Sequence, residues 1–104
     1  MKTIIIGKES LLTKHLYKNN KKYVIFSARD HLEIPIIARF INKNKKINLI
    51  LNNFYPSSHI NKITSKDYEK FYNQSIIFNA KLFSKLNAKN LNKIVYSSSS
   101  SVYN

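Results

Sequence analysis

The chain has 104 residues (12.2 kDa), enough for one small domain, and carries 18 Lys and Arg against 5 Asp and Glu for a formal net charge of +13. The absence of Cys excludes disulfides, thiolate metal sites and cysteine nucleophiles, and a hydrophobic share of 43% is too high for a disordered chain. The apolar runs fall far short of the ~20 residues that cross a bilayer, and Met1-Lys2 leads straight into a β-branched run with no cleavage signal; the expectation is a reduced, cytoplasmic setting.

Taken in chain order, short β-branched runs alternate with longer amphipathic stretches. Residues 2–6 read as a first strand, buried on both faces because its Ile run is unbroken. Residues 10–19 follow as a helix with Leu11, Leu12, His15 and Leu16 along one side. Residues 23–27 are a second strand. Residues 34–43 are a helix with Ile36, Ile37, Phe40 and Ile41 as its apolar face and Pro35 in the first turn. Residues 47–52 form a third strand and residues 54–66 a loop. The longest helix is expected over 67–86, capped by Ser65 or Asp67, with Phe71, Ile76, Ile77, Ala80, Phe83 and Leu86 at helical spacing. A turn then leads to a fourth strand at 93–96. The order βαβαβαβ predicts an α/β fold, a Rossmann-like parallel sheet with flanking helices.

Such sheets bind ligands beyond the carboxyl ends of their strands. After strand one comes Gly7-Lys8-Glu9-Ser10-Leu11-Leu12-Thr13, a strand–turn–helix that aims backbone N–H groups and a positive helix end at a phosphate. Glycine normally lets the backbone turn tightly and approach the pyrophosphate. Here Gly7 alone is glycine; Ser10 and Thr13 hold the next two positions at three-residue spacing, and Glu9 adds a negative charge. Strand two ends in Ser27-Ala28-Arg29 in place of the acidic residue usual for NAD, which suits the 2′-phosphate of NADP. The alternative is an ordinary polar loop after the strand, with Asp30 as the partner expected for Arg29. The high pI also matches a nucleic-acid footprint, but the lysines are scattered. Their densest clusters, at 18–22 and 42–46, fall where helices end and where the helix dipole favours them.

The end of the chain is the most specific segment: Lys93-Ile94-Val95-Tyr96-Ser97-Ser98-Ser99-Ser100-Ser101-Val102-Tyr103 is a hydrophobic strand running into serines and then Val-Tyr. It resembles the "strand–SSSS–VY–G" segment of the extended short-chain dehydrogenase/reductase family, the NAD-dependent nucleotide-sugar epimerases and dehydratases. The preceding stretch, from Tyr68-Glu69-Lys70-Phe71-Tyr72 to Asn87-Ala88-Lys89-Asn90-Leu91, is similar to that family's helix and its turn into the strand. Gly7, Ser10 and Thr13 fall on its three glycines, and Asn52-Asn53-Phe54-Tyr55 on its small-residue cofactor turn. The resemblance implies an NAD(P)-binding portion, with NADP ahead of NAD, held by Gly7, Ser10, Leu11, Leu12, Ser27, Arg29, Asn53, Phe54 and Ser97. It implies Ser99 as the catalytic Ser/Thr.

Departures from the family pattern bear on activity. Bulky Phe54 and Tyr55 would crowd the cofactor, Ser75 replaces a common Asn, and the short span between strands two and three leaves one strand–helix unit reduced or lost. The family's Tyr-x-x-x-Lys pair lies beyond the serine segment. Here the spacing occurs at Tyr17 and Lys21, at the end of the first helix and on the wrong side of the sheet. The expectation is a truncated portion, inactive alone, or one piece completed by another polypeptide. Its open fourth strand would invite a partner or a homo-oligomer. The alternative is a non-catalytic basic binding protein on the same scaffold. His15, His31 and His59 lie on separate segments without carboxylates at metal-ligand spacing, and no hydrolase elbow or Walker motif is present.

Overall fold

The structure, a computed structural model, describes residues 2–54 and 64–96. Its elements are β1 (Lys2–Ile6), α1 (Leu11–Asn19), β2 (Val24–Phe26), α2 (Ile34–Lys43), β3 (Ile47–Leu51), α3 (Ser65–Phe71), a π-helical turn (Tyr72–Ile77), α4 (Phe78–Phe83) and β4 (Leu91–Tyr96). The strands form one all-parallel sheet in the order β2-β1-β3-β4. The α/β, Rossmann-like architecture expected from the alternation is therefore present. The order reverses after β2, so β1 lies between β2 and β3, and no additional strand sits outside β2 among the described residues.

The main core lies on the face covered by α2 and α4. Ile4, Ile6, Ile47, Leu49 and Leu51 of the sheet meet Ile34, Ile37, Ala38 and Ile41 of α2 and Phe78 and Leu82 of α4, all buried. Strand side chains alternate between faces, so Ile5 points to the opposite side, where right-handed connection places α1. Burial of Ile4, Ile5 and Ile6 agrees with a first strand covered on both faces.

Helix phases differ from the apolar patterns. On α1, Leu11 is 82% exposed and Leu12 44%, while Thr13 is 1% exposed, so the side carrying Leu11, Leu12 and His15 does not face the core. On α2, Ile37, Phe40 and Ile41 pack on the core as expected, while Ile36 faces solvent and Ala38 is buried in its place. The long helix begins at Ser65, not Asp67, because the Thr64 side chain accepts from the Asp67 N–H and the Asp67 carboxylate accepts from the Thr64 N–H, a reciprocal capping box. Its inward residues are Ser75, Phe78, Asn79 and Leu82; Ile76 and Ala80 are exposed. Two polar residues are buried on that side because the loop after β3 supplies their hydrogen bonds.

At the other end of the sheet, Asn42 joins α2 to the turn before β4. Its amide donates to the Lys85 carbonyl and its side-chain oxygen accepts from the Asn87 N–H, both at 2.8 Å. Lys18 and Lys43 stand in the last turns of α1 and α2, where the dipole favours them.

Candidate functional site

The carboxyl ends of β1, β2 and β3 converge at Gly7, Ser27 and Asn52. This is the point where strand order reverses, the position at which open α/β sheets form a ligand crevice. Gly7 has φ +116°, and a Cβ there would overlap the Asn52 carbonyl oxygen. The backbones of the β1 and β3 ends thus meet through a residue that must be glycine. The Gly7 and Lys8 N–H groups both donate to the Phe26 carbonyl, at 2.8 and 3.1 Å, and hold the turn against β2.

Ser10 is the N-cap of α1, its hydroxyl accepting from the Leu12 N–H at 3.2 Å, while its own N–H donates to the Gly7 carbonyl at 3.0 Å. The second cradle position is therefore a capping serine, and it uses one first-turn donor internally. The Leu11 and Leu12 side chains project outward from the same turn. Thr13, on the third cradle position, is buried and its hydroxyl accepts from the Asn52 side-chain amide at 3.0 Å. That bond draws α1 toward the end of β3 and sets the helix phase noted above.

Asn53 sits one residue further along. Its amide donates to the Gln74 carbonyl at 2.8 Å and to the Asn79 side-chain oxygen at 2.9 Å. Ser75 donates to the Phe54 carbonyl. The π-helical turn makes this geometry accessible, because its widened backbone leaves carbonyls such as Gln74 open to side-chain donors. His31, from the β2–α2 connection, contacts the same turn: Nε2 lies 2.9 Å from the Asn73 carbonyl, and its ring packs edge-on against Phe78. The Phe54 ring, expected to crowd a cofactor, is engaged from α3 by the Lys70 ammonium at 4.3 Å. The side-chain oxygens of Asn52 and Asn53 are both buried without a hydrogen-bond partner among the described residues.

At the β2 end, the Ser27 hydroxyl donates to the Glu9 carboxylate, 3.0 and 3.2 Å from its two oxygens, and accepts from the Arg29 N–H at 3.1 Å. The Arg29 guanidinium pairs with Glu9 at 3.8 Å. Asp30, expected beside Arg29, instead accepts from the Leu32 N–H at 2.9 Å and caps a 3₁₀ turn. The structure thus brings Gly7, Ser10, Ser27, Arg29 and Asn53 to one end of the sheet. Ser97, Ser99 and Tyr55 lie outside the described residues.

The sequence places Asn52 on the turn after β3 but does not show that it and Asn79 are buried, nor that Glu9 accepts from Ser27. An Asn pair directly after an apolar strand was the available signal. No group of three or more His, Cys, Asp or Glu able to hold a metal occurs among the described residues, and none of their helices is long and apolar enough to cross a membrane. Comparison with family models, with curated proteins and with solved structures returns no match.

Proposed function

We propose that the chain is the NAD(P)-binding portion of a nucleotide-sugar epimerase, dehydratase or reductase of the extended short-chain type, without turnover by itself. The observation that carries this reading is Gly7. A left-handed glycine pressed against the β3 backbone, at the reversal point of a parallel sheet and just before a capped helix, gives the tight strand-to-helix turn with which a dinucleotide site opens. The buried, unpartnered oxygens of Asn52 and Asn53 support it, as acceptors at the same strand end.

When bound, the nicotinamide supplies hydride transfer. The chain's own residues would bind and orient it: the Gly7 turn and the α1 N-terminus would face the phosphates, with Asn53 at the neighbouring strand end. Glu9 sharpens the choice of cofactor. A 2′-phosphate would compete with its carboxylate for Ser27 and Arg29, whereas an unphosphorylated ribose offers hydroxyl donors to it. This favours NAD over the NADP suggested by Ser27 and Arg29 alone.

Turnover needs an acid/base pair within reach of the reacting oxygen. Tyr17 and Lys21, the one Tyr-x-x-x-Lys spacing in the sequence, lie at the C-terminal end of α1, which runs back from the strand ends. The Lys21 ammonium rests 4.7 Å over the Tyr17 ring, a contact made away from the crevice. β4 pairs only with β3 among the described residues and leaves Ile94, Val95 and Tyr96 roughly half exposed, so a further strand would add there.

Thermal denaturation with NAD(H) and NADP(H) tests the reading. A cofactor at 100 times its Kd should add about 2.7 kcal/mol; no shift with either overturns it.

A further inference from the structure

The face of β2 turned toward α1 is only partly covered. Ile25 pairs in register with Ile5, so Ile25 and, two residues earlier, Tyr23 lie on the α1 side of the sheet. Because α1 is drawn toward β3 through Thr13 and Asn52, an open groove of about 610 Å³ remains between α1 and β2. Its walls include Tyr17, Tyr23 and Ile25, with Lys8 and Lys14 among the lining residues.

The charge there is one-sided. Lys8 and Lys14 line the groove, and Lys21 sits over the Tyr17 ring. The one carboxylate in the lining, Glu9, is already compensated by the Ser27 hydroxyl and Arg29. The volume falls in the range of small-molecule sites, about 300–1,000 Å³. Two tyrosines and an isoleucine favour a flat aromatic body, while the ammonium groups call for an anion.

We propose that this groove binds a free nucleoside monophosphate, with the base against Tyr17 and Tyr23 and the phosphate toward Lys8 and Lys14. The groove adjoins the crevice at Gly7, Asn52 and Asn53, sharing Glu9 and Thr13 with it, and extends from there along α1 and β2 to Tyr17, Tyr23 and Ile25; the inference does not rest on the dinucleotide reading. A free nucleotide is favoured over a nucleic-acid strand because only two lysines, Lys8 and Lys14, line the groove.

Calorimetry and amide-resolved NMR of the full chain test it with AMP, adenosine, inorganic phosphate and a short oligoadenylate as separate probes. AMP should bind with its largest shifts at residues 14–25, around Lys14, Tyr17, Tyr23 and Ile25, and adenosine and phosphate should each bind at least tenfold more weakly. Tyr17→Ala and Lys14→Glu should weaken AMP at least tenfold while circular dichroism remains unchanged, since both side chains are on the open side of α1; Tyr17→Phe should retain binding. Phosphate binding as well as AMP would reduce the groove to surface charge and overturn the proposal. So would AMP shifts centred on Gly7, Asn52 and Asn53, unaltered affinity in both weakening variants, or oligoadenylate binding a hundredfold tighter than AMP.

Discussion

Glu9 and Ser27 are joined across the ends of β1 and β2, with the Ser27 hydroxyl donating to the Glu9 carboxylate and Arg29 alongside. The Ser27 hydroxyl and the Arg29 guanidinium are therefore already engaged by a carboxylate of the protein itself. Glu9→Gln removes the charge and keeps the shape. The variant should shift the ratio of NADP to NAD affinity at least tenfold toward NADP, about 1.4 kcal/mol, read by thermal shift against cofactor concentration. An unchanged ratio would remove Glu9 from cofactor choice.

Gly7→Ala places a methyl group where the Asn52 carbonyl already lies and demands φ +116° of an L residue. Backbone strain and overpacking add, so a loss of about 2–4 kcal/mol is expected. Urea denaturation measures it; a loss below about 1 kcal/mol would show that the two strand ends can separate at little cost.

Thr13→Val keeps the volume of a buried side chain but leaves the Asn52 amide without its acceptor. The expected cost is about 1–3 kcal/mol. Adding Asn52→Leu should recover part of it, because both members of the pair are then apolar. A double-mutant cycle in urea reads the coupling, and strict additivity would deny that this bond holds α1 to β3.

Asp67 titrates below its ordinary value of 3.8, chiefly because its carboxylate accepts from the Thr64 N–H, then from the Thr64 hydroxyl, with a smaller contribution from Lys70. A lowered folded-state pKa contributes stability above the ordinary value, and that stability is lost as pH falls through the lowered one. The melting temperature of the wild type should therefore fall on acidification through this range. Asp67→Asn should flatten that part of the profile, and parallel curves for the two proteins would count against the capping box as its source.

Local chemistry was legible where it involved neighbours in sequence. β1 and α2 have the bounds expected from the Ile run and from Pro35, and the Lys clusters do end helices. The phase of α1 was not legible. An adjacent Leu pair outweighs a Thr in any apolar pattern, yet Thr13 is buried because Asn52 reaches it from 39 positions away. The inward side of the long helix was legible only at its end, where Phe83 and Leu86 pack against the core; Ser75 and Asn79 are polar, and the loop at Asn53 and Phe54 gives them their partners.

By itself, the sequence determined the alternation of strands and helices, the glycine after β1, and a serine and arginine at the end of β2. Those properties rest on local backbone preference and side-chain type. Tertiary structure alone decided which polar groups meet. Adjacency of β1 to both β2 and β3 brings Glu9 to Ser27, seats Gly7 against Asn52 and ties Thr13 to β3. Hydrogen bonds between residues far apart in the chain depend on strand order, and strand order is not written in any one segment. The +13 charge is subject to the same limit: the sequence supplies the lysines, and the fold places Lys8 and Lys14 beside two tyrosines.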